Sequence, residues 1–149
     1  MKWTSSIAFL VALLVAGASA VALAEPKPSQ HPRTGQLAAL EFAPGSSELA
    51  IEIDGAIAEK VDAAASWAQA HPDGLVVLDG HADPTGTRSF NVQLSLRRAK
   101  AVRERLVVAG VNPEQIVIAA FGADGPRPDR TVVIWATRTG HQAATARAW

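Results

Sequence analysis

The stretch from Leu75 to Val111 constrains the fold more than any other part of the chain. It begins with an apolar run, Leu75 to Leu78, that is too short for a helix and rich in β-branched valine, as is typical of a buried strand. The run opens into Asp79-Gly80-His81-Ala82-Asp83. The sequence therefore predicts a central strand whose carboxyl end is polar.

A turn and a long helix follow this strand. Pro84-Thr85-Gly86 has the composition of a turn, and a helical pattern begins between Thr87 and Asn91 and is ended by Gly110. Small and apolar residues recur within it at steps of four, three and four: Ser95, Ala99, Val102 and Leu106. This spacing places them on one face of the helix, which we expect to contact the core.

The strand–turn–helix unit brings a carboxylate and a guanidinium toward the same end of the domain. Asp83 follows the strand, and Arg98 lies about two turns into the helix, 98 − 83 = 15 residues later. The amino terminus of the helix adds unpaired backbone N–H groups. Such a site suits a zwitterion, with an ammonium group on Asp83 and a carboxylate held in bidentate fashion by Arg98.

These residues resemble the signature of the OmpA-like carboxyl-terminal domain family, which reads G-H-T-D, then G, then N-x-x-L-S-x-x-R-A-x-x-V. The matching positions are Gly80-His81-Ala82-Asp83, Gly86, Asn91, Leu94-Ser95, Arg97-Arg98-Ala99 and Val102. Phe42, Ser46 and Leu49 match a further family pattern, F-x-x-x-S-x-x-L. A long gapped pattern matched in register is a specific signal.

The resemblance implies a periplasmic domain that binds peptidoglycan non-covalently through the diaminopimelate of the stem peptide. By the same resemblance Asp83 and Arg98 hold that group, and Asn91 is an auxiliary ligand-binding residue. Supporting roles fall to four further residues: Gly80, His81, Gly86 and Arg130.

The chain departs from the family pattern at two places. Ala82 replaces the usual threonine, which removes a hydroxyl beside Asp83. The last strand of the family is entered through N-R-R-V after a longer loop, whereas this chain has Asp129-Arg130-Thr131-Val132 after a short one. We expect these changes to alter the walls of the site and to lower its affinity while leaving the charged pair in place.

The remaining patterns complete an α/β sandwich of order β-α-β-α-β-β, with two helices on one face of a small mixed sheet. Strands are predicted at 37–42, 116–121 and 131–135, and an amphipathic helix carries Ile53, Ile57, Val61, Ala64 and Ala68. Because only Gly122 to Pro128 joins the last two strands, we expect those strands to be antiparallel neighbours.

The ends of the chain predict processing and linker segments. Residues 1–24 have the charge, the apolar centre and the A-x-A sites of a secretory signal, and an uncleaved membrane anchor is the alternative. Residues 25–36 read as a proline-rich linker, 37–138 as the domain and 139–149 as a loose tail. The chain is thus predicted to be exported to the periplasm and associated with the wall or the outer membrane, contacting a membrane only through an uncleaved signal.

Composition narrows the function. The chain has no cysteine, which removes thiol chemistry and attachment of lipid to a processed cysteine. Loss of the signal would remove one lysine and no acid, giving 13 − 14 = −1, so the domain lacks the basic field of a nucleic-acid-binding protein. No histidine pair has metal-ligand spacing, and no serine lies in a G-x-S-x-G context. We therefore predict no metal, no cofactor and no catalytic residue.

Simpler interpretations remain open for each site residue. Asp83 could be an ordinary turn residue, Arg98 could belong to a solvated helix face, and Asn91 could cap the helix. The function alternatives are an envelope protein–protein interaction domain with a vestigial ligand site, and a wall-acting enzyme that uses Asp83 and His81. Other envelope proteins are possible partners of the first.

Overall fold

The structure is a computed structural model, and it describes residues 33–49, 55–127 and 129–138. These residues form an α/β fold of four strands and two long helices. In chain order the elements are β1 (Gly35–Glu41), α1 (Gly55–Ala70), β2 (Gly74–His81), α2 (Arg88–Val108), β3 (Ile116–Gly122) and β4 (Thr131–Arg138). A short 3₁₀ turn, Pro113–Gln115, precedes β3.

The sheet is mixed, with the strand order β1-β4-β2-β3. β4 lies between β1 and β2 and is antiparallel to both, whereas β2 and β3 are parallel. The carboxyl ends of β1, β2 and β3 therefore meet at one edge of the sheet. This edge carries the loops that follow β1 and β2, which hold the predicted site.

The expectation that the last two strands are neighbours is wrong. β3 pairs with β2, and β4 pairs with β2 on the other side. The link of residues 123–130 must cross the width of β2, about 10 Å for two strand spacings of ~4.8 Å. Eight residues can span up to about 26 Å, so even this short connection reaches across the end of β2.

The core lies between the sheet and both helices, which cover the same face. β2 and β4 contribute alternating side chains, as the period of two in a strand requires. The buried residues of this layer include Val76, Leu78, Val132 and Ile134 from the sheet, Val61, Ala64 and Ala68 from α1, and Ala99, Val102 and Leu106 from α2. The apolar stripes predicted for both helices are thus confirmed where the structure describes them.

Gly80 allows α2 to lie directly on β2. A Cβ atom at this position would stand 2.3 Å from the carbonyl oxygen of Ser95, a backbone atom that cannot move aside. α2 begins at Arg88, after the N-cap Thr87, whose side chain accepts a hydrogen bond from the backbone N–H of Phe90. The cap and the close approach together fix the first turns of α2 beside the end of β2.

The element bounds differ from the sequence prediction at several ends. β1 begins at Gly35, so the last two residues of the predicted linker belong to the sheet. β2 extends to His81 and β4 to Arg138, beyond the apolar runs that predicted them. Ile53, the predicted signal at 1–24 and the predicted tail at 139–149 lie outside the described residues. Among the helices of the described ranges, none has the length and hydrophobicity of a membrane span.

Candidate functional site

Asp83 lies in the loop between β2 and α2, at the edge where the parallel strands end. Hydrogen bonding of the Ala82 N–H to the Gly122 carbonyl holds the start of this loop, and Gly86 turns it with a φ of +91°, which favours glycine. The Asp83 side chain is 23% exposed, and its Oδ1 accepts a 2.6 Å hydrogen bond from the Thr85 hydroxyl. This bond, followed by the charges of Arg130 and Arg98, lowers the pKa of Asp83.

Arg98 is completely buried in the third turn of α2, and its guanidinium points to the same edge of the sheet. Its Nε donates to the Ser46 carbonyl at 2.8 Å, Nη1 to the His81 carbonyl at 3.0 Å, and Nη2 to the Ala43 carbonyl at 3.3 Å. The simpler interpretation that Arg98 belongs to a solvated helix face is therefore wrong. Arg98 belongs to the buried face of α2, because three backbone carbonyls accept hydrogen bonds from its guanidinium.

The positive charge of Arg98 is not neutralised by an ion pair. No carboxylate among the described residues forms a salt bridge with Arg98, and the three carbonyls supply only dipoles. Burial lowers its pKa, while the nearby charge of Asp83 raises it. Arginine has five N–H donors, so two remain after the three carbonyl bonds. Arg98 is thus a desolvated cation with donor capacity left over.

Arg130 lies beside Asp83 at the entrance to β4. Its Nε donates to the Phe42 carbonyl at 3.2 Å, and its two Nη atoms lie 3.2 Å from Glu41 Oε1 and 3.6 Å from Asp83 Oδ2. The Phe42 N–H in turn donates to the Arg130 carbonyl. Arg130 therefore ties the end of β1 to the Asp83 loop.

Asn91 is the buried polar residue of the first turn of α2. It is 3% exposed, and its Oδ1 has no hydrogen-bond partner among the residues that the structure describes. Its side chain lies against Gly86, in the loop that carries Asp83. The N-cap is Thr87, so the alternative that Asn91 caps the helix does not hold.

His81 contacts the site through its backbone. Its carbonyl accepts from Arg98, whereas its ring stacks on Phe121 with the ring centres 5.3 Å apart. The Nδ1 atom has no hydrogen-bond partner among the described residues, so the ring is not seen to bond to the Asp83 loop.

The structure brings Asp83, Arg98 and Arg130 to one edge and sets Asn91 and Gly86 next to them. The carbonyls of Ala43 and Ser46, in the loop after β1, were not predicted as part of the site. The F-x-x-x-S pattern at Phe42 and Ser46 was the available signal, because Ser46 supplies a carbonyl to Arg98 and the Phe42 ring lies 5.4 Å from its guanidinium carbon. No cluster of three or more potential metal ligands occurs within the described ranges.

Comparison with known proteins identifies the family. The family model described as OmpA family matches residues 41–132 of the 149-residue chain. The chain belongs to the OmpA family. The match includes the end of β1, the Asp83 loop, all of α2 and the entrance to β4, so each predicted site residue lies inside the family region of this OmpA-family protein.

Curated relatives match a shorter region. A peptidoglycan-associated lipoprotein of Pseudomonas aeruginosa is 49% identical over 51 residues, which are 34% of this chain and 30% of that protein. A protein of the same name from Legionella pneumophila is 41% identical over 66 residues, 44% of this chain and 38% of that protein. The matched regions thus span only 30% and 38% of the length of these relatives.

Solved structures share the fold at low sequence identity. The peptidoglycan-associated lipoprotein from Burkholderia pseudomallei superposes with a TM-score of 0.61 at 21% identity, covering 66% of this chain and 89% of that one. The carboxyl-terminal domain of Helicobacter pylori MotB gives 0.58 at 18% identity, covering 75% and 91%. These neighbours confirm the predicted α/β architecture.

Proposed function

We propose that this OmpA-family protein binds peptidoglycan non-covalently in the cell envelope, by holding the zwitterionic end of a diaminopimelate side chain between Asp83 and Arg98. The observation that carries the proposal is the buried guanidinium of Arg98, which has donors to spare and no carboxylate partner among the described residues. A carboxylate from outside the protein would accept from the remaining N–H donors of Arg98 and balance its charge.

Arg98 donates hydrogen bonds to the ligand carboxylate. Its three carbonyl bonds fix the plane of the guanidinium before the ligand arrives, so little side-chain entropy is lost on binding. Burial removes water from around the Arg98 cation, and a ligand carboxylate would take the place of that water. Because the dielectric constant is low inside the protein, the attraction between the two charges is strong. Arg98 therefore supplies both affinity and orientation.

Asp83 receives the ligand ammonium group. Its lowered pKa keeps it ionised, and its side chain is partly exposed, so a cation from solvent can reach it. Arg130 already lies 3.6 Å from one of its oxygens, too far for a hydrogen bond. The ammonium would take a closer position on Asp83, and Arg130 would retain its bond to the Phe42 carbonyl.

Asn91 is the auxiliary contact. A buried carbonyl oxygen without a partner costs free energy, and ligand N–H groups would remove that cost. Its place against Gly86 puts it beside the loop of Asp83 rather than in the core of the sheet. We therefore assign Asn91 to an amide N–H or ammonium group of the stem peptide.

The names of the relatives support this proposal and its location. The two curated relatives described above are named peptidoglycan-associated lipoproteins. We therefore place the protein in the envelope, at the wall. We propose binding without chemistry, because glycan cleavage normally uses two facing carboxylates and Asp83 faces two cations.

Co-sedimentation with diaminopimelate-containing peptidoglycan tests the proposal. Wild-type protein is expected in the pellet, and Asp83→Asn or Arg98→Ala should each weaken binding at least about tenfold, since the opposite charge of the ligand is left unpaired. Arg97→Ala is the matched control, because Arg97 is the exposed neighbour of Arg98 on the same helix. Full sedimentation by both site variants, folded as judged by circular dichroism, would overturn the proposal.

A further inference from the structure

A cavity lies on the face of the sheet that the helices do not cover. It has a volume of about 290 Å³. In β2 and β4 its residues Asp79, His81, Val133 and Trp135 alternate with the core residues Leu78 and Ile134, so they point to the other side. Arg33, Phe121, Pro126 and Arg127 complete the lining. Neither Asp83 nor Arg98 contributes to it.

The acidic group of this cavity is already paired with a cation. Asp79 is buried, and both of its oxygens accept from Arg33, with Nη2 donating at 2.7 Å. The charges of Asp79 and Arg33 cancel. A ligand cation would have to compete with Arg33 for this carboxylate.

The groups that remain are donors and a positive charge. Trp135 Nε1 is buried and has no hydrogen-bond partner among the described residues, and an indole nitrogen can only donate. Arg127 forms no ion pair with a described residue. His81, 1% exposed, also has an unpartnered Nδ1, and burial lowers its pKa although Asp129 and Asp79 act against this. Apart from Asp79, which is paired with Arg33, the described lining residues offer Trp135 Nε1 and Arg127 no negatively charged acceptor.

We propose that this cavity binds a small carboxylate with an apolar body. The carboxylate would accept from Trp135 Nε1 and balance the charge of Arg127. The body would pack on Phe121, Val133 and Pro126, which form the apolar part of the wall. A volume of 290 Å³ corresponds to roughly ten water molecules at ~30 Å³ each, which limits the ligand to a small acid rather than a polymer.

The two sites are separate but share one residue. The His81 ring lines the cavity, and the His81 carbonyl accepts from Arg98 on the other side of the strand. The cavity proposal does not need diaminopimelate or peptidoglycan, because none of its contacts involves the Asp83 loop. Variants at one site therefore distinguish its failure from failure of the other.

The test uses 3-phenylpropionate as the probe, with 3-phenylpropionamide and 3-phenylpropylamine as neutral and cationic analogues of the same shape. Binding is followed through the indole ¹H–¹⁵N signals of the four tryptophans, with Trp135→Phe identifying the relevant one. We expect the carboxylate to shift the Trp135 signal saturably, with a dissociation constant below about 1 mM. The amide and the amine should bind at least tenfold more weakly.

Matched variants locate the charge contact. Arg127→Gln should weaken binding of 3-phenylpropionate at least tenfold, since the carboxylate loses its counter-charge. Arg105→Gln, an exposed arginine on α2, and Asp83→Asn should leave it unchanged. The proposal is overturned if the Trp135 signal shows no saturable shift, if the amine binds as well as the carboxylate, or if Arg127→Gln has no effect.

Discussion

Arg98 and Arg33 approach the end of β2 from opposite sides of the sheet, and their partners differ. Arg33 meets the carboxylate of Asp79 through two of its nitrogens. Arg98 is more deeply buried, yet its hydrogen-bond partners among the described residues are the backbone carbonyls of Ala43, Ser46 and His81. One cation is neutralised by the chain itself, and the other keeps its charge.

Because of this difference, we assign Arg33 to a structural ion pair and propose Arg98 as a ligand-binding group. When one partner of a buried ion pair is removed, the other charge is left unpaired, and the main effect is a loss of folding stability. A buried cation surrounded by dipoles is instead an attractive position for an external anion. The comparison predicts that changes at Arg33 affect folding and that changes at Arg98 affect ligand binding.

The largest effect is expected from Arg33→Ala. It leaves Asp79, whose side chain is 5% exposed, without its counter-charge, and we expect the free energy of unfolding to fall by roughly 3 kcal/mol. Urea denaturation measures this loss, and the double variant with Asp79→Asn should recover part of it. Peptidoglycan binding by the folded fraction should stay at the wild-type level. A loss of binding without a loss of stability would reverse the roles assigned to the two arginines.

Gly80→Ala tests the contact that joins the two sides of β2. The added methyl would meet the Ser95 carbonyl oxygen at 2.3 Å, so α2 must move away from the sheet. We expect the free energy of unfolding to fall by about 2 kcal/mol, as for an overpacked core, and binding to weaken because Arg98 moves with the helix. Gly55→Ala is a suitable control, since its Cβ meets nothing within 4 Å. Equal stability of the two variants would show that the close approach is not required.

Arg98→Lys retains the charge and removes the planar fork. One ammonium group cannot bond the three carbonyls and also grip a carboxylate in bidentate fashion, so peptidoglycan affinity should fall about tenfold. Arg97→Lys, at the exposed neighbouring position, should bind as the wild type does. Calorimetric titration with a diaminopimelate-containing peptide measures both. Wild-type affinity of the Arg98 variant would mean that charge alone suffices.

The smallest effect concerns pH. In the proposed complex the carboxylate form of Asp83 accepts from the ammonium group, and the pKa of Asp83 in the folded protein is lowered chiefly by the Thr85 hydroxyl. Binding should therefore persist below the ordinary aspartate value of 3.8 and disappear only as the pH falls through the lowered value. Thr85→Val removes the hydrogen bond and should move the midpoint of binding upward. A midpoint that Thr85→Val leaves unchanged would dissociate Asp83 from the acid limit of binding.

The fold class could be predicted from the sequence, because the patterns of successive segments are consistent with one another. The apolar run before Asp79, the turn at Pro84-Thr85-Gly86 and the stripe on α2 each predicted an element that the structure has. The strand order was harder, since a link of eight residues fits a hairpin and also fits a crossing over β2. Nothing in the local composition decides between these two connections.

The residues of the candidate site come from the sequence, and their environment comes from the structure. Asp83, Arg98 and Asn91 follow from the family signature, but the burial of Arg98 depends on carbonyls of the loop after β1, for which the F-x-x-x-S pattern was the only signal in the sequence. The cavity on the other face was available from strand alternation, because Asp79 and His81 are two residues apart and share a face. The pairing of Asp79 with Arg33 could not be predicted, because Arg33 lies 46 positions from Asp79 in a segment that has the composition of a linker.

The central claim is that Arg98 binds a ligand carboxylate, because no carboxylate of the described residues forms a salt bridge with it. Calorimetric titration with two stem peptides that differ only at the diamino acid, meso-diaminopimelate or lysine, tests it directly, because lysine keeps the ammonium group and lacks the distal carboxylate. The account predicts that wild-type protein prefers the diaminopimelate peptide at least tenfold and that Arg98→Ala removes the preference. Equal affinity of the wild type for both peptides would contradict it.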